Sequence, residues 1–199
     1  MVQELSTLPR FVGLSGYSRS GKDTVASFLV AEYGYRQIAF ADRLRALVVA
    51  LFPSIAEIVN GAGGDWEKAK ENPEVKRVLQ GVGEAVRKNV GPDVWVAAAL
   101  SPIRDDELVV VSDARYLNEA DAIVSRGGTL LRIERPGTKP FNNHVSEIAL
   151  DRYDGFHAVL INDRTIEALH DRVRAAIYEQ SRRAATAIYE QSLVAGGTR

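Results

Sequence analysis

The chain has 199 residues, enough for one α/β domain with a full hydrophobic core, so a second domain is not expected. Its 25 basic and 26 acidic residues leave a net charge of −1, which argues against nucleic acid or an acidic membrane as a partner. The absence of cysteine excludes disulfides and thiolate metal sites. Residues 1–9 lack the features of a signal peptide and no run of 18 apolar residues occurs, so a cytoplasmic protein is expected.

A short apolar run from Phe11 breaks into a glycine-rich loop and reopens as an apolar helix at Val25. Gly16 and Gly21 are separated by four residues, and Lys22 follows directly, which is the frame of a phosphate loop. In such a loop glycine allows positive φ, backbone N–H groups point at phosphate oxygens, and the helix N-terminus adds positive charge. The pattern therefore predicts a nucleotide phosphate site, in which Lys22 reaches the β- and γ-phosphates.

One position departs from the general phosphate-loop pattern. Asp23 stands where a Ser or Thr usually supplies the hydroxyl that binds magnesium, and Thr24 follows it. The alternative interpretation is a Gly/Ser-rich turn before an ordinary helix. The preceding strand and the following helix favour the phosphate site.

The next predicted elements are a short strand over 35–40 and a helix from Asp42 to about residue 52. Asp42, Arg43 and Arg45 follow the carboxyl end of that strand, where ligands bind in open parallel sheets. For Asp42, helix capping is an equally good explanation. A functional role is favoured for one of the arginines.

Residues 66–72 are polar and predict an irregular, mobile flap, after which a helix begins at Pro73. Gly81 and Gly83 lie inside that helix, where each costs about 0.8–1 kcal/mol relative to alanine. They indicate close approach of a backbone or a ligand, with simple helix packing as the alternative. Another helix is predicted over 91–100.

Residues 107–113 form an apolar, β-branched run typical of a buried parallel strand. Asp113 ends it, which is where a magnesium-organising carboxylate beside a phosphate loop is needed. Arg115 follows and is placed for the same crevice. A helix over 117–125 and a fourth strand over 129–134 come next.

The loop 135–144 is rich in turn formers and positive charge, and could close over a bound nucleotide. A solvated surface loop is the alternative. A fifth strand is predicted over 157–161, and residues 162–165 cap a long final helix. In that helix a stripe of apolar residues is predicted to pack on the domain: Ile166, Leu169, Val173 and Ile177.

The final helix contains an internal repeat, because the hexapeptide at 176–181 recurs at 187–192. Eleven residues make three helical turns, so both copies present Ile and Tyr on nearly one face of one continuous helix over about 164–194. A helix of roughly 30 residues is about 45 Å long, more than a domain of this size covers. The distal half is expected to pack against a second subunit in a homodimer, with a frayed tail as the alternative.

Five strands alternating with helices predict a parallel sheet with right-handed crossovers and a central first strand. Arginines from several segments are too many for a simple binding module and suit two phosphorylated substrates: Arg19, Arg45, Arg77, Arg87, Arg115, Arg132 and Arg135.

Over most of residues 11–170 the chain resembles the deoxynucleoside monophosphate kinases of bacteriophages, a branch of the P-loop nucleoside monophosphate kinase superfamily. The Asp after the P-loop Lys, odd by the general pattern, is regular in this family. The resemblance is carried by the order and spacing of short motifs: Gly-Lys-Asp-Thr at 21–24, Phe-Ala-Asp at 40–42, Arg-x-Leu-Gln-x-x-Gly at 77–83, Asp-Val-Trp at 93–95, Ser-Asp-Ala-Arg-Tyr-Leu-Asn-Glu at 112–119, Arg-Ile-Glu-Arg-Pro-Gly at 132–137 and His-x-Ser-Glu at 144–147.

The resemblance implies a three-layer α/β fold of the P-loop NTPase type, with a five-stranded parallel sheet in the order 2-3-1-4-5 and a long C-terminal helix. It implies transfer from ATP to a deoxynucleoside monophosphate, giving ADP and the diphosphate, with Mg²⁺. The kinase core would span 1–170, with a monophosphate-binding region at about 42–100 and a lid at about 135–147. Residues 171–199 would be a helical extension.

The resemblance also implies roles for individual residues. ATP would be bound by Gly16, Tyr17, Ser18, Arg19, Ser20, Gly21, Lys22, Asp23 and Thr24, with Asn162, Asp163 and Thr165 beside adenine. The monophosphate would be bound by Asp42, Arg45, Arg77, Gln80, Arg87, Trp95, Asp113 and Arg115, although Trp95 is by type more often a core residue. Catalysis would use Lys22, Arg115, Arg132 and Arg135, and the metal would be held by Asp23 and Asp113.

The family usually has a Thr after the glycine that Gly83 matches, where this chain has Glu84, so the base and sugar contacts stay open. Two other functions remain. One is a P-loop kinase for another small phosphorylated acceptor, of the phosphomevalonate or dephospho-coenzyme A type. The other is a non-enzymatic nucleotide-binding assembly protein.

Overall fold

The computed structural model describes residues 8–140 and 145–196, and for residues 188 and 191–196 the backbone alone. The chain divides into two compact units, which are described separately below. The first comprises Met1–Ile38 and Arg104–Arg199, and the second Ala39–Ile103. The boundary predicted near residue 170 stays a prediction.

The first unit is built on a five-stranded sheet in which every pairing is parallel. The strands are β1 (Phe11–Ser15), β2 (Arg36–Ile38), β3 (Val109–Val111), β4 (Thr129–Glu134) and β5 (Ala158–Ile161). Their order is β2-β3-β1-β4-β5, with β1 in the centre, as predicted. All of β1 and β3 is buried, because a central parallel strand has helices on both faces and is apolar on both.

The helices of the described residues are, in chain order, α1 (Lys22–Tyr33), α2 (Ala41–Leu51), α3 (Pro53–Gly61), α4 (Trp66–Ala69), α5 (Pro73–Asn89), α6 (Val94–Leu100), α7 (Leu117–Ser125), α8 (Val145–Ile148) and α9 (Ile166–Gly196). Helix α3 was not predicted from the sequence. The other long helices lie within a few residues of their predicted bounds, since each has a clear apolar period or a capping signal.

Helices α1 and α9 cover one face of the sheet, where Val12 and Leu14 of β1 are completely buried. Gly13 points to the opposite face and meets α7. A Cβ at Gly13 would lie 2.4 Å from Cδ1 of Ile123, so this glycine permits the close approach of α7. Helix, sheet and helix therefore form three layers, which confirms the predicted P-loop-type fold.

The long final helix is continuous, as predicted. Leu169, Val173 and Ile177 are almost completely buried against the sheet, because they recur every four residues on one face. Ile166 was expected in the same stripe, but it is 62% exposed, so that part of the prediction is wrong. It lies in the first turn of α9, beyond the edge of this core.

The second unit is helical, and its core is formed by α2, α3, α4 and α5 around Val48, Ile55 and Val75. The irregular segment predicted at 66–72 is wrong for its first half, which forms α4. The carboxylate of Asp65 accepts hydrogen bonds from the backbone N–H groups of residues 67 and 68 and caps this helix.

Gly83 is buried inside α5, and a Cβ there would lie 3.2 Å from Cδ2 of Leu44 on α2. The indole N–H of Trp95 donates to the Gly83 carbonyl at 3.3 Å. Helix packing therefore explains Gly83. A Cβ at Gly81 would meet no described atom within 4 Å, so packing does not explain that glycine.

In the part of the chain that the structure describes, no single helix is both long and apolar enough to cross a membrane. Helices α2 and α3 together reach the required length and composition, but they are bent by 114°.

Candidate functional site

The loop between β1 and α1 has the backbone that its glycines predict. Gly16 has φ of 139° and Gly21 has φ of 111°, both in the region that favours glycine. A Cβ on Gly16 would lie 2.2 Å from the carbonyl oxygen of Ile133, and one on Gly21 would lie 2.6 Å from Nδ2 of Asn162. Arg19, with φ of 63°, is the one non-glycine residue with positive φ among the described residues. The loop thus has a tightly specified, partly strained shape.

Lys22 is folded back onto this loop. Its Nζ donates hydrogen bonds to the carbonyl oxygens of Gly16 and Tyr17, both at 2.7 Å, and the residue is only 8% exposed. The ammonium group therefore lies inside the loop, satisfied by the loop's own carbonyls.

Burial is the main cause that lowers the pKa of Lys22, to about 8, and the neighbouring charge of Arg115 lowers it further. Three carboxylates oppose this by stabilising the ammonium form: Asp23, Glu147 and Asp113. The charges of Arg115, Asp23 and Asp113, all predicted site residues, therefore act on Lys22. Glu147, which was not predicted as a site residue, acts on it as well.

Two glutamates hold Arg115. Its Nη1 donates to Oε1 of Glu147 at 3.2 Å, and its backbone N–H donates to Oε2 of Glu119 at 2.8 Å. Glu119, 2% exposed, also accepts from the backbone N–H of Tyr116 at the start of α7. Glu119 was not predicted as a site residue. Its position three residues after the N-cap Tyr116, where Glu commonly accepts from free N–H groups, could have identified it.

Arg132, on β4, is held by three acceptors within the protein. Its Nε donates to Oε1 of Glu134 at 2.9 Å, Nη1 to the carbonyl oxygen of Leu150 at 3.0 Å, and Nη2 to Oδ1 of Asp151 at 2.9 Å. The guanidinium lies over the ring of Tyr17 at 5.4 Å. All three of its nitrogens are therefore engaged in protein contacts.

Arg135 differs from Arg132. It is exposed, and among the described residues its guanidinium makes no hydrogen bond or ion pair, while its carbonyl accepts from Thr138 in a turn. The predicted lid over 135–147 is described only in part, because residues 141–144, including His144, lie outside the described residues. Arg135 is therefore available to a ligand.

The predicted adenine-side residues have three different environments. Nδ2 of Asn162 donates to the carbonyl oxygen of Ser20 at 2.9 Å, so Asn162 supports the phosphate loop itself. Asp163 is paired with Arg172 at 2.7 Å, and Oγ1 of Thr165 caps the start of α9.

An open groove lies between the first turns of α1 and α9. Two of its lining residues, Phe28 and His170, have stacked rings, with centroids 4.1 Å apart and planes 18° apart. The groove is lined by Asp23, Thr24, Ser27, Phe28, Ala31, Ile166 and His170. It joins the end of the phosphate loop to the start of the final helix.

The predicted monophosphate residues of the second unit begin with Asp42. It lies in the first turn of α2, whose capping position is Phe40, and its Oδ2 accepts from the backbone N–H of Ala39 at 2.8 Å. Its Oδ1 pairs with Nη1 of Arg45 at 3.2 Å. The guanidinium of Arg45 lies over the ring of Trp66 at 5.7 Å. Its Nε is buried with no partner among the described residues, which leaves one donor of Arg45 unused.

The remaining predicted monophosphate residues differ in accessibility. Arg77 and Gln80 are exposed on α5, and Nη1 of Arg87 donates to the carbonyl of Pro92 at 3.1 Å. Trp95 is 6% exposed, and its N–H is engaged by Gly83. Arg77 and Gln80 are therefore the most accessible of this group.

The family model for deoxynucleotide monophosphate kinases matches residues 59–173. A putative deoxynucleotide monophosphate kinase of Acanthamoeba polyphaga mimivirus is 30% identical over 188 residues, covering 83% of this chain and 95% of the relative. The chain belongs to the deoxynucleotide monophosphate kinase family. It is therefore an enzyme, a kinase of phage type, and the non-enzymatic alternative is wrong.

Two phage relatives are more distant. The deoxynucleotide monophosphate kinases of Enterobacteria phage T4 and Escherichia phage RB69 are 26% and 25% identical over 129 and 128 residues, or 62% and 61% of this chain. The chain spans about half the length of these two enzymes, 50% and 49%.

A metal site formed by protein side chains alone is absent from the described residues, where no group of three or more His, Asp or Glu lies together. Magnesium in kinases is commonly held by one or two carboxylates with the substrate phosphates. Asp23 and Asp113, which both act on the charge of Lys22, fit that kind of site. The Oγ of Ser20 in the same loop is buried without a partner in the described structure.

Proposed function

We propose that the protein transfers the γ-phosphoryl group of ATP to a deoxynucleoside 5′-monophosphate, giving ADP and the deoxynucleoside diphosphate. The bond from the γ-phosphorus to the β–γ bridging oxygen breaks, and a bond to an oxygen of the acceptor phosphate forms. The observation that carries this proposal is the phosphate loop, with Lys22 buried in it beside Arg115, in a chain of this kinase family.

The donor phosphates would be bound by the loop Gly16–Thr24. Its backbone N–H groups and the N-terminus of α1 favour phosphate oxygens. Lys22 would leave the carbonyls of Gly16 and Tyr17 and contact the β- and γ-phosphates. This exchange is favourable because phosphate oxygens carry full negative charge, whereas carbonyl oxygens carry only a partial charge.

Adenine would lie beside Asn162, Asp163 and Thr165. The groove between α1 and α9 supports this, since it runs from Thr24 at the end of the phosphate loop to Ile166 just after Thr165. The exposed side chain of Ile166 offers apolar surface to a base.

Magnesium would be held by Asp23 and Asp113 together with oxygens of the donor phosphates. When bound, it supplies positive charge that neutralises the phosphates during transfer. Two carboxylates and no protein cage are the usual protein share of such a site.

Lys22, Arg115 and Arg135 would stabilise the charge on the transferred group. Arg115 lies where its charge acts on Lys22, and Arg135 has an exposed guanidinium in the predicted lid. Positioned cations of this kind supply most of the catalysis in phosphoryl transfer.

In the second unit, the residues proposed to bind the acceptor are Asp42, Arg45, Arg77, Gln80, Arg87 and Trp95. The buried, unpartnered Nε of Arg45 and the exposed side chain of Arg77 support this, because a phosphate dianion is best bound by several guanidinium donors.

The kinase core would span 1–170, with a monophosphate region at about 42–100 and a lid at about 135–147. Residues 171–199 would form a helical extension. The enzyme would be cytoplasmic, in a host cell if the chain is phage-encoded.

A coupled assay of ADP release tests the function. The protein is given ATP, Mg²⁺ and each of the four dNMPs in turn, and then phosphomevalonate or dephospho-coenzyme A. Turnover with at least one dNMP is expected, and Lys22→Ala should remove it, whereas the exposed Lys88→Ala should not. Turnover with phosphomevalonate or dephospho-coenzyme A but with no dNMP would show that the acceptor belongs to that other class.

A further inference from the structure

Asp151 joins the phosphate loop to strand β4. It lies just beyond α8, 134 residues from Tyr17 in sequence, and Oδ2 of Asp151 accepts a hydrogen bond from the Tyr17 hydroxyl at 2.8 Å. Oδ1 of the same carboxylate accepts from Nη2 of Arg132 at 2.9 Å. One carboxylate therefore fixes a tyrosine of the phosphate loop to an arginine of the sheet.

The arginine in this link is itself immobilised. The side chain of Arg132 is 10% exposed, and its other nitrogens donate to Glu134 and to the carbonyl of Leu150. Its guanidinium lies within 5.4 Å of the Tyr17 ring centroid and 5.6 Å of that of Phe156. To touch a transferred phosphoryl group, Arg132 would have to leave three acceptors and two aromatic rings, and unpairing buried charges is costly.

The link acts on the half of the loop that holds Lys22. Tyr17 follows Gly16, and its carbonyl oxygen is one of the two acceptors of the Lys22 ammonium. The other end of the loop is held by Asn162, which donates to the carbonyl of Ser20. Between these two supports lies Arg19 with its positive φ, so the loop's strained shape is maintained from both ends.

The Tyr17 hydroxyl stays a donor at neutral pH. Burial raises its pKa above the ordinary value, and the hydrogen bond to Asp151 raises it further. The Asp151 carboxylate therefore accepts its hydrogen bond from a neutral phenol.

We propose that Asp151 is a positioning residue that, through Tyr17, holds the first half of the phosphate loop in its phosphate-binding shape, and that Arg132 acts through Asp151 rather than on the transferred phosphoryl group. The kinetic consequences rest on the proposed function, whereas the support of the loop does not.

Amide hydrogen exchange of the ligand-free protein tests the support directly. The peptide covering residues 16–21 is compared in wild type, Tyr17→Phe and Asp151→Asn. Exchange about three- to tenfold faster is expected in both variants, because each removes one hydrogen bond of the link and leaves the backbone intact. Unchanged exchange in Tyr17→Phe would overturn the proposal, whatever nucleotide the enzyme uses.

Tyr153→Phe is the matched control. The hydroxyl of Tyr153 also donates to a carboxylate, Oδ1 of Asp121 at 3.2 Å. Its ring packs edge-on against Phe156, the second aromatic ring beside Arg132. It has no hydrogen bond to the phosphate loop in the described structure, so its removal should leave exchange over 16–21 unchanged. A change as large as that in Tyr17→Phe would show a general loosening and contradict a specific role for Asp151.

Steady-state kinetics test the consequence for ATP. In Tyr17→Phe, KM for ATP should rise about three- to tenfold while kcat stays within about twofold, because a less ordered loop weakens donor binding. The double variant Tyr17→Phe/Asp151→Asn should be no worse than Asp151→Asn alone, since both act on one link. Fold-changes that multiply, or a wild-type KM in Tyr17→Phe, would contradict the proposal.

Arg132→Lys distinguishes the two roles of Arg132. If Arg132 acts through Asp151, the Arg132→Lys variant should have a higher KM for ATP and faster amide exchange over residues 16–21. A fall in kcat with KM and exchange unchanged would make Arg132 a catalytic residue and overturn its assignment here. If wild type shows no transfer from ATP, the proposed function fails, while the exchange comparison still decides the support of the loop.

Discussion

The ammonium group of Lys22 lies 2.7 Å from the carbonyl oxygen of Gly16, the first glycine of the same phosphate loop. The lysine that would bind the donor phosphates is thus held by the loop itself in this structure. A phosphate group has to replace the carbonyls of Gly16 and Tyr17 as its partners.

Lys22→Ala is expected to lower kcat by at least about a thousandfold, because Lys22 supplies charge to the transition state. The fold should be retained, since the Lys22 ammonium bonds only to carbonyls of its own loop in the described structure and its removal takes a charge out of a buried position. Turnover and thermal unfolding are measured side by side, with Lys88→Ala as the control. Near-normal turnover in a well-folded Lys22→Ala would refute the phosphate-loop assignment.

The lowered pKa of Lys22 predicts a pH dependence of stability. The pKa is about 8 in the folded protein against 10.5 ordinarily, so the folded state releases this proton first. The free energy of unfolding contributed by Lys22 should therefore rise between these two values, by up to ~1.4 kcal/mol per pH unit, and stay level below pH 8. Urea unfolding of wild type and Lys22→Met from pH 7 to 10.5 measures the difference. A difference that falls with rising pH would contradict the sign.

Arg115→Ala and Arg135→Ala are expected to lower kcat by about ten- to a thousandfold with smaller changes in KM, because charge needed only during transfer appears in kcat. Arg126→Ala, an exposed arginine at the end of α7, is the control. If either variant changed KM alone, that arginine would serve substrate capture.

Glu119→Ala is expected to destabilise the fold by about 1–3 kcal/mol, because it leaves the half-buried N–H groups of Arg115 and Tyr116 without this acceptor. Urea unfolding measures this, and Glu167→Ala in the exposed first turn of α9 is the comparison. If Glu119→Ala were as stable as Glu167→Ala, water would have to replace the Glu119 carboxylate as the acceptor of these N–H groups.

Removal of residues 182–199 is expected to convert a homodimer into a monomer, as judged by light scattering. The apolar residues of α9 up to Ile177 pack on the sheet, whereas Tyr189, three turns further along, is 65% exposed. Exposed apolar surface of this kind favours a symmetric partner. The side chains of Ile188 and Leu193, predicted to share that face, lie outside the described residues. A mass equal to that of the full-length oligomer would exclude the distal helix as the interface.

Local patterns were enough to predict the phosphate loop and the order of elements. The spacing of Gly16, Gly21 and Lys22 predicts this loop, because glycine takes positive φ at little cost and both glycines have positive φ here. The apolar runs of β1 and β3 likewise predict buried parallel strands from composition alone.

Local patterns failed where several local structures were compatible with the same residues. The polar stretch after Asp65 was expected to be irregular, yet one capping carboxylate is enough to begin α4. Ile166 fits the apolar period of α9 and is still exposed, because the period does not say where the sheet ends.

By itself, the sequence determined the individual strands, the phosphate loop and the continuous final helix, since each depends on residues within a few positions of one another. Tertiary structure alone decided which side chains hold the site together. Tyr17 meets Asp151 across 134 residues and Arg115 meets Glu147 across 32. Such pairs depend on how β4 lies beside β1 and on where the chain returns after α8, and no local spacing encodes either.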